Sequence, residues 1–125
     1  MLDTNTFLWW NIRSSRLSST AIAICQDATN ILWLSMASIW EIQIKNQLGK
    51  LKLPAPLDEI LAKQYEANGI QQLSIQLPHV LRLSALPDHH KDPFDRMLIA
   101  QAQVEGLMLI SNDPLIAKYP VTVVW

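Results

Sequence analysis

The chain has 125 residues, of which half are hydrophobic, and its formal net charge at pH 7 is −1. This length predicts a single domain over residues 1–125, and the high apolar content excludes an intrinsically disordered chain. The near-neutral charge excludes binding of nucleic acid through a general basic field, and no apolar run reaches the roughly 20 residues of a membrane span.

Strand-like apolar runs alternate with helical patterns along the whole chain. Met1 and Leu2 are predicted to end a first strand that places Asp3 at its carboxyl end. A full strand needs about three more residues in front, so we expect an internal start or an unusually short strand. The other predicted elements, in order, are helices at 4–11 and from Ser18 or Ser19 to about Ala28, a strand at 31–34, a helix from the cap Ser35 to Gly49, a helix from Pro56 to Asn68, a strand at 70–75, a helix closing at 81–86, a helix from Pro93 to Glu105, a strand at 107–110, a helical turn from Pro114 and a strand at 121–124.

The stretch from Asp92 to Asp113 illustrates the pattern. Asp92 is a helix cap, and Gly106 is placed to end the helix. The run at 107–110 is wholly apolar, as expected for a parallel strand that is covered on both faces. Such alternation predicts right-handed crossovers, and therefore an α/β fold with a central parallel sheet between two helical layers. Asp113 then lies at the carboxyl end of a strand, where open α/β sheets bind ligands, and Asp95 heads the apolar stripe of the helix.

The positions of four carboxylates suit a functional site at this edge of the sheet: Asp3, Glu41, Asp95 and Asp113. Taken singly, the three aspartates have ordinary explanations as strand ends, helix caps or first-turn acids. Glu41 is harder to explain, because Ala37 and Ile44 place it on the apolar stripe of its helix. A carboxylate there must be paired, protonated or bound to a metal, and Lys45 one turn later is the simplest partner. Three of these acids are expected at strand ends or helix starts that face the same sheet edge, and the fourth, Glu41, faces inward. Crowded like charges repel one another and imply a cation, and all-oxygen ligation favours Mg²⁺ or Mn²⁺ over zinc.

Four segments of the chain carry a resemblance to a known family: Met1–Trp10, Ala37–Lys45 with Leu48–Leu51, Asp92–Ala102, and Leu109–Asp113. Together they resemble PIN-domain proteins and, within that superfamily, the VapC-like toxins of bacterial toxin–antitoxin pairs. The resemblance implies a Rossmann-like α/β/α sandwich and a metal-dependent endoribonuclease, in which one or two Mg²⁺ or Mn²⁺ ions activate water for attack on an RNA phosphodiester. The family's four metal-binding and catalytic acids are matched, in order, by Asp3, Glu41, Asp95 and Asp113.

The resemblance further implies RNA as substrate, a cognate antitoxin whose apolar segment covers the active site, and a homodimer. The lack of a long apolar run predicts no membrane partner. The single Cys25 permits no internal disulfide, which agrees with a reducing, cytoplasmic compartment. Trp9 and Trp10 are about 100° apart on their helix, so we expect one of them to meet solvent or a partner. Substrate contacts, or support for the metal ligands, are expected from Asn5, Lys45, Asp92, Arg96 and Ser111.

Other interpretations stay open at this point. For Lys45 and Arg96, ion pairs that steady the acids are as well favoured as contacts with RNA phosphate. His89 and His90 are interpreted as a solvated loop, since adjacent residues point in different directions. A catalytically silent PIN-like binding module is the alternative function, because the first strand is so short. A phospho-acceptor signalling domain is disfavoured, because the acid after the first strand has no acidic neighbour.

Overall fold

The computed structural model describes all of residues 1–125. The chain forms six α-helices and four short strands, joined by turns and loops. The helices are α1 (Thr4–Asn11), α2 (Ser19–Gln26), α3 (Met36–Gln47), α4 (Leu57–Asn68), α5 (Leu77–Arg82) and α6 (Pro93–Glu105). The strands are β1 (Trp33–Ser35), β2 (Gln71–Leu73), β3 (Leu109–Ile110) and β4 (Val123–Val124), and 3₁₀ turns occupy Leu83–Ala85 and Ile116–Lys118. The predicted alternation of helices and strands is confirmed, and the α/β class with it.

The helix ends follow the capping residues that the sequence predicts. Ser18, Ser35 and Asp92 are N-caps whose side chains accept backbone N–H groups of the first turn. Helices α4 and α6 end at glycines in the left-handed conformation, Gly69 with φ 61° and Gly106 with φ 65°. Local hydrogen-bonding chemistry therefore decides where these helices begin and end.

Helix α5 departs from the prediction, because it begins at Leu77 and passes into a 3₁₀ turn after Arg82. Its start is fixed by His79, whose Nδ1 accepts the Gln76 N–H at 3.0 Å. The ring occupies the place that Glu or Gln takes in a capping box, so the usual sequence signal is missing. The Nε2 atom of the same ring lies 2.7 Å from the Glu105 carboxylate on α6, which joins the two helices.

The strands pair in parallel in the spatial order β2, β1, Leu2, β3, β4. Leu2 alone represents the first strand and bridges Leu34 on one side and Ile110 on the other. The Leu2 N–H donates to Trp33 O at 2.9 Å, and the Ile110 N–H donates to Met1 O at 2.9 Å. The first strand is thus short, as expected, and it lies in the centre of the sheet.

Apolar side chains cover both faces of this sheet. Because successive strand residues point to opposite faces, Leu2 and Ile110 pack in one core while Met1 and Leu109 pack in the other. The first core takes residues from α1, α2 and α4, among them Phe7, Ala21 and Ile60. The second core takes the apolar stripe of α6, Leu98, Ile99 and Ala102. This arrangement is the predicted α/β/α sandwich. None of the helices has the length and apolar character needed to cross a bilayer.

A buried hydrogen-bond relay fixes the start of α3 beneath the carboxyl end of the sheet. The Ser35 hydroxyl accepts the Ala37 N–H at 3.0 Å and donates to Gln101 Oε1 on α6 at 2.5 Å. The Gln101 amide in turn donates to Ser74 O at 3.3 Å. Since Ser35 and Gln101 are fully buried, these bonds lock the position from which α3 presents Glu41.

Candidate active site

Asp3 follows the central Leu2 bridge directly and is buried. Its backbone N–H donates to Ile110 O at 3.1 Å, and its Oδ1 accepts the Thr6 N–H at 2.6 Å as the N-cap of α1. Burial raises the pKa of the Asp3 carboxyl, and hydrogen bonds from Ser111 and Thr6 offset part of that effect. The side chain is therefore held rigidly at the carboxyl end of the sheet, although its strand is one residue long.

Glu41 lies on α3 with only 5% of its surface exposed. Its Oε2 accepts the Thr4 hydroxyl at 2.6 Å, and its Oε1 accepts Lys45 Nζ at 2.5 Å. Both sequence interpretations of this residue hold together, because it faces the interior and also pairs with Lys45. The neighbouring carboxylates of Glu41, Asp92 and Asp95 raise the pKa of Lys45, with the Glu41 hydrogen bond as the largest cause. The ammonium group thus lies within the field of several acids.

Asp95 is the third residue of α6 and lies in its first turn. Asp92 Oδ1 accepts the N–H groups of Phe94 at 2.8 Å and of Asp95 at 3.2 Å, so Asp92 acts as the predicted cap. Burial raises the pKa of Asp95 to about 7, and the charges of Asp92, Glu41 and Asp3 add to the increase. The positive charge near Asp95 therefore does not offset its burial and the repulsion from these acids.

Asp113 lies three residues beyond the end of β3. Its Oδ1 accepts the Leu115 N–H at 2.8 Å, and its own N–H donates to the buried hydroxyl of Ser111 at 3.1 Å. Its Oδ2 lies 2.7 Å from Nε2 of His90. Ser111 therefore hydrogen-bonds with both Asp3 and Asp113, which places it beside two acids of the cluster.

His90 is a residue of this site that sequence reasoning missed. The prediction of a solvated loop holds for the exposed His89 but is wrong for His90, which is 8% exposed. Its Nε2 lies 2.7 Å from Asp113 Oδ2 and 3.2 Å from Asp95 Oδ2. Its Nδ1 accepts the Asp92 N–H at 3.1 Å, so the ring proton is on Nε2 and is donated to the carboxylates. Nothing in the local sequence indicates these contacts, since Asp113 is 23 residues away.

Arg96 does not contact the acid cluster. Its guanidinium donates to the carbonyl oxygens of Pro87 at 2.9 Å, His90 at 3.2 Å and Leu83 at 3.3 Å. The nearest carboxylate is the exposed Asp88, at 3.7 Å. The Arg96 guanidinium, a candidate for holding phosphate or for pairing with the acids, is thus engaged by these carbonyl oxygens. Its bonds stabilise the loop that carries His90. Asn5 is exposed on the first turn of α1.

Four separate parts of the chain thus bring carboxylates to one edge of the sheet. Asp95 lies within electrostatic range of Asp92, Glu41 and Asp3, and Asp3 lies within range of Asp113. Ligand atoms of His90, Asp95 and Asp113 all lie within 4.8 Å of one another. Because the proton on His90 Nε2 removes the nitrogen lone pair there, the available ligands are oxygens, and such a set suits Mg²⁺ or Mn²⁺.

A sizeable cavity of the molecule lies away from these acids. It has a volume of about 900 Å³ and is lined by residues that precede the strands, including Cys25, Leu32 and Gly69. None of the clustered acids lines it. The acids instead lie at the opposite, carboxyl edge of the sheet, which agrees with the usual position of ligand sites in open α/β folds.

Two comparisons with known proteins bear on this site. A family model described as "PIN domain" matches residues 1–121. Ribonuclease VapC16 from Mycobacterium tuberculosis is 38% identical over 71 residues, which cover 54% of this chain and 50% of that protein. The chain thus spans about half the length of the curated relative it matches.

Proposed function

Because this chain belongs to the PIN domain family, we propose that it is a metal-dependent endoribonuclease and the toxin of a toxin–antitoxin pair. The observation that carries this proposal is the convergence of four acids, Asp3, Glu41, Asp95 and Asp113. Within this cluster, Lys45 forms an ion pair with Glu41. A divalent cation would relieve the repulsion among these acids. The similarity to a mycobacterial protein named as a ribonuclease supports RNA as the substrate.

The proposed site divides its tasks among a few side chains. Asp3, Glu41, Asp95 and Asp113 would hold Mg²⁺ or Mn²⁺, which when bound lowers the pKa of a water molecule and stabilises charge on the phosphate. Thr4 orients the Glu41 carboxylate, as the 2.6 Å hydrogen bond indicates. Lys45 keeps a half-exposed ammonium group at the edge of the cluster, where its free N–H groups are available to an RNA phosphate.

The first prediction concerns metal dependence. The purified protein is expected to cleave an RNA pool with Mg²⁺ or Mn²⁺ and to lose this activity in EDTA. Asp3→Asn is expected to reduce cleavage by roughly 100-fold or more, because one carboxylate charge is lost at the cation. Asparagine is also a good N-cap, so helix α1 should keep its start. Gel analysis of labelled RNA fragments measures the rate.

Asp88→Asn is the matched control, because this aspartate is fully exposed and lies outside the cluster. It should cleave like the wild type. Cleavage that survives EDTA, or full activity in Asp3→Asn, would contradict the proposed function. Binding of Mn²⁺ without cleavage of any RNA would favour the silent binding module, which the four oriented acids otherwise disfavour.

We further propose a cognate antitoxin and a cytoplasmic homodimer. One of Trp9 and Trp10 was expected to meet solvent or a partner, and neither is fully exposed: the ring centroids of Trp9 and Trp125 are 5.8 Å apart in an edge-on contact, and the Nε1 of Trp10 is buried without a hydrogen-bond partner. Helix α5 presents two exposed apolar side chains one turn apart, Leu77 and Leu81. This face supports self-association better than α1 does.

The second prediction tests this face. Light scattering is expected to give a mass near twice the 14.2 kDa of one chain. The double variant Leu77→Glu and Leu81→Glu should be monomeric, because its charges would have to be buried against each other. Leu48→Glu is a suitable control, since Leu48 is 63% exposed, as is Leu81, but lies at the end of α3. A monomeric wild type, or a dimeric double variant, would rule out the α5 interface.

A further inference from the structure

His90 is held on three sides by contacts that aim its ring at two carboxylates. Its backbone N–H donates to the Tyr119 hydroxyl at 2.7 Å, and its carbonyl oxygen accepts Arg96 at 3.2 Å. Its Nδ1 accepts the Asp92 N–H at 3.1 Å. Only Nε2–H is left, and it lies against Asp113 Oδ2 at 2.7 Å. The ring therefore has one orientation and one tautomer that satisfy all of these groups.

This geometry makes His90 a poor metal ligand. Coordination through Nε2 requires its proton to move to Nδ1, and that would replace the bond from the Asp92 N–H with a clash of two donors. It would also remove the donor that Asp113 now uses. With the proton on Nε2, the bonds to the Asp92 N–H and to Asp113 are both kept, and each oxygen of the Asp113 carboxylate has a second lone pair left.

We propose that His90 is a positioning residue of the acid cluster: its Nε2–H fixes the Asp113 carboxylate, beside Asp95, in the orientation that receives the divalent cation. The inference rests on the proposed function. Apart from His90, the Asp113 carboxylate is held by one hydrogen bond, from the Leu115 N–H to Oδ1 at 2.8 Å. Hydrogen-bond partners of metal ligands typically change metal affinity by about 10-fold to 100-fold when they are removed.

Two substitutions of similar chemistry and different reach test this role. The amide of His90→Gln places a nitrogen near the position of Nε2 and can still donate to Asp113. The shorter amide of His90→Asn can satisfy the Asp92 N–H but does not reach Asp113. Titration of free Mn²⁺ by electron paramagnetic resonance should therefore give an affinity about 10-fold to 100-fold weaker for His90→Asn, and largely restored in His90→Gln.

His79 provides a matched control within the same chain. It is also buried, its Nδ1 also accepts a backbone N–H, and its Nε2 also contacts a carboxylate, that of Glu105. His79→Asn should lower the melting temperature but leave the Mn²⁺ affinity unchanged. Equal losses of affinity in the His79 and His90 variants would assign both effects to the fold and overturn the inference.

Pulsed resonance of bound Mn²⁺ separates positioning from ligation directly. In protein labelled with ¹⁵N-histidine, we expect no coupling from a directly coordinated histidine nitrogen. A strong coupling that disappears in His90→Gln would overturn the inference, as would equal Mn²⁺ affinities of the wild type and His90→Asn. Failure of the wild type to bind Mn²⁺ would overturn the proposed function itself, and with it this role.

Discussion

Asp95→Asn is expected to abolish RNA cleavage and, in the same molecule, to stabilise the metal-free fold above about pH 7. The two effects have one cause. A bound cation requires the negative charge of Asp95, whereas without a cation the neighbouring acids repel that charge. Burial and the charges of Asp92, Glu41 and Asp3 accordingly raise the pKa of Asp95 to about 7. Asparagine keeps the size of the side chain and removes the charge. Activity and stability should therefore move in opposite directions.

The sign of the pH dependence follows from the same pKa. Asp95 has an ordinary value of 3.8 when unfolded and about 7 in the fold, so the folded state binds its proton more tightly. Between these values the metal-free protein loses stability as the pH rises, and above them the loss is complete. Three pH units would correspond to about 4 kcal/mol, which is a ceiling because neighbouring acids share the proton and 22% of the side chain is exposed.

Urea unfolding in EDTA at several pH values measures this effect. Between about pH 4 and pH 8 the unfolding free energy of the wild type should fall more steeply than that of Asp95→Asn, and above this range the variant should be more stable by about 1 to 3 kcal/mol. Asp58→Asn, at an exposed position of α4, should follow the wild type. Identical pH profiles for the wild type and Asp95→Asn would contradict the electrostatic explanation, and undiminished cleavage would remove Asp95 from the site.

The helix ends around this site were predictable because their causes are local. Asp92, Pro93 and Gly106 fix α6 through contacts within a few residues of each end. The strands were predicted too long, since an apolar run records burial on both faces and not the extent of pairing. The run at 107–110 is an example: Met108 is 45% exposed, and only Leu109 and Ile110 pair with β4.

The parts of the site that sequence could not reveal depend on distant contacts. His90 lies beside the exposed His89 in the same polar loop, and the local sequence does not indicate its contact with Asp113, which is 23 residues away. Arg96 is next to Asp95 in sequence, yet a helix turns adjacent side chains about 100° apart, and the guanidinium points to the loop carbonyls instead. Patterns of residue type locate the acids but not the groups that orient them.

Glu41→Gln is expected to lower RNA cleavage at saturating Mn²⁺ by on the order of 100-fold to 1,000-fold while the fold survives. Glutamine is nearly the same shape, and its carbonyl oxygen can still accept the Thr4 hydroxyl. Its amide group cannot accept Lys45, but Lys45 is 45% exposed and can turn to solvent. We therefore expect a change in unfolding free energy of only about 1 kcal/mol.

Lys45→Gln distinguishes a ligand from a simple ion-pair partner. If Glu41 serves only to hold Lys45, removing either side chain breaks the same pair, and the two variants should have the same modest effect on cleavage. If Glu41 holds the cation, Lys45→Gln leaves that carboxylate in place, still bonded to Thr4 at 2.6 Å, and retains far more activity than Glu41→Gln. Near-normal cleavage by Glu41→Gln would restrict this buried acid to its pair with Lys45, and the cation would then depend on the three aspartates alone.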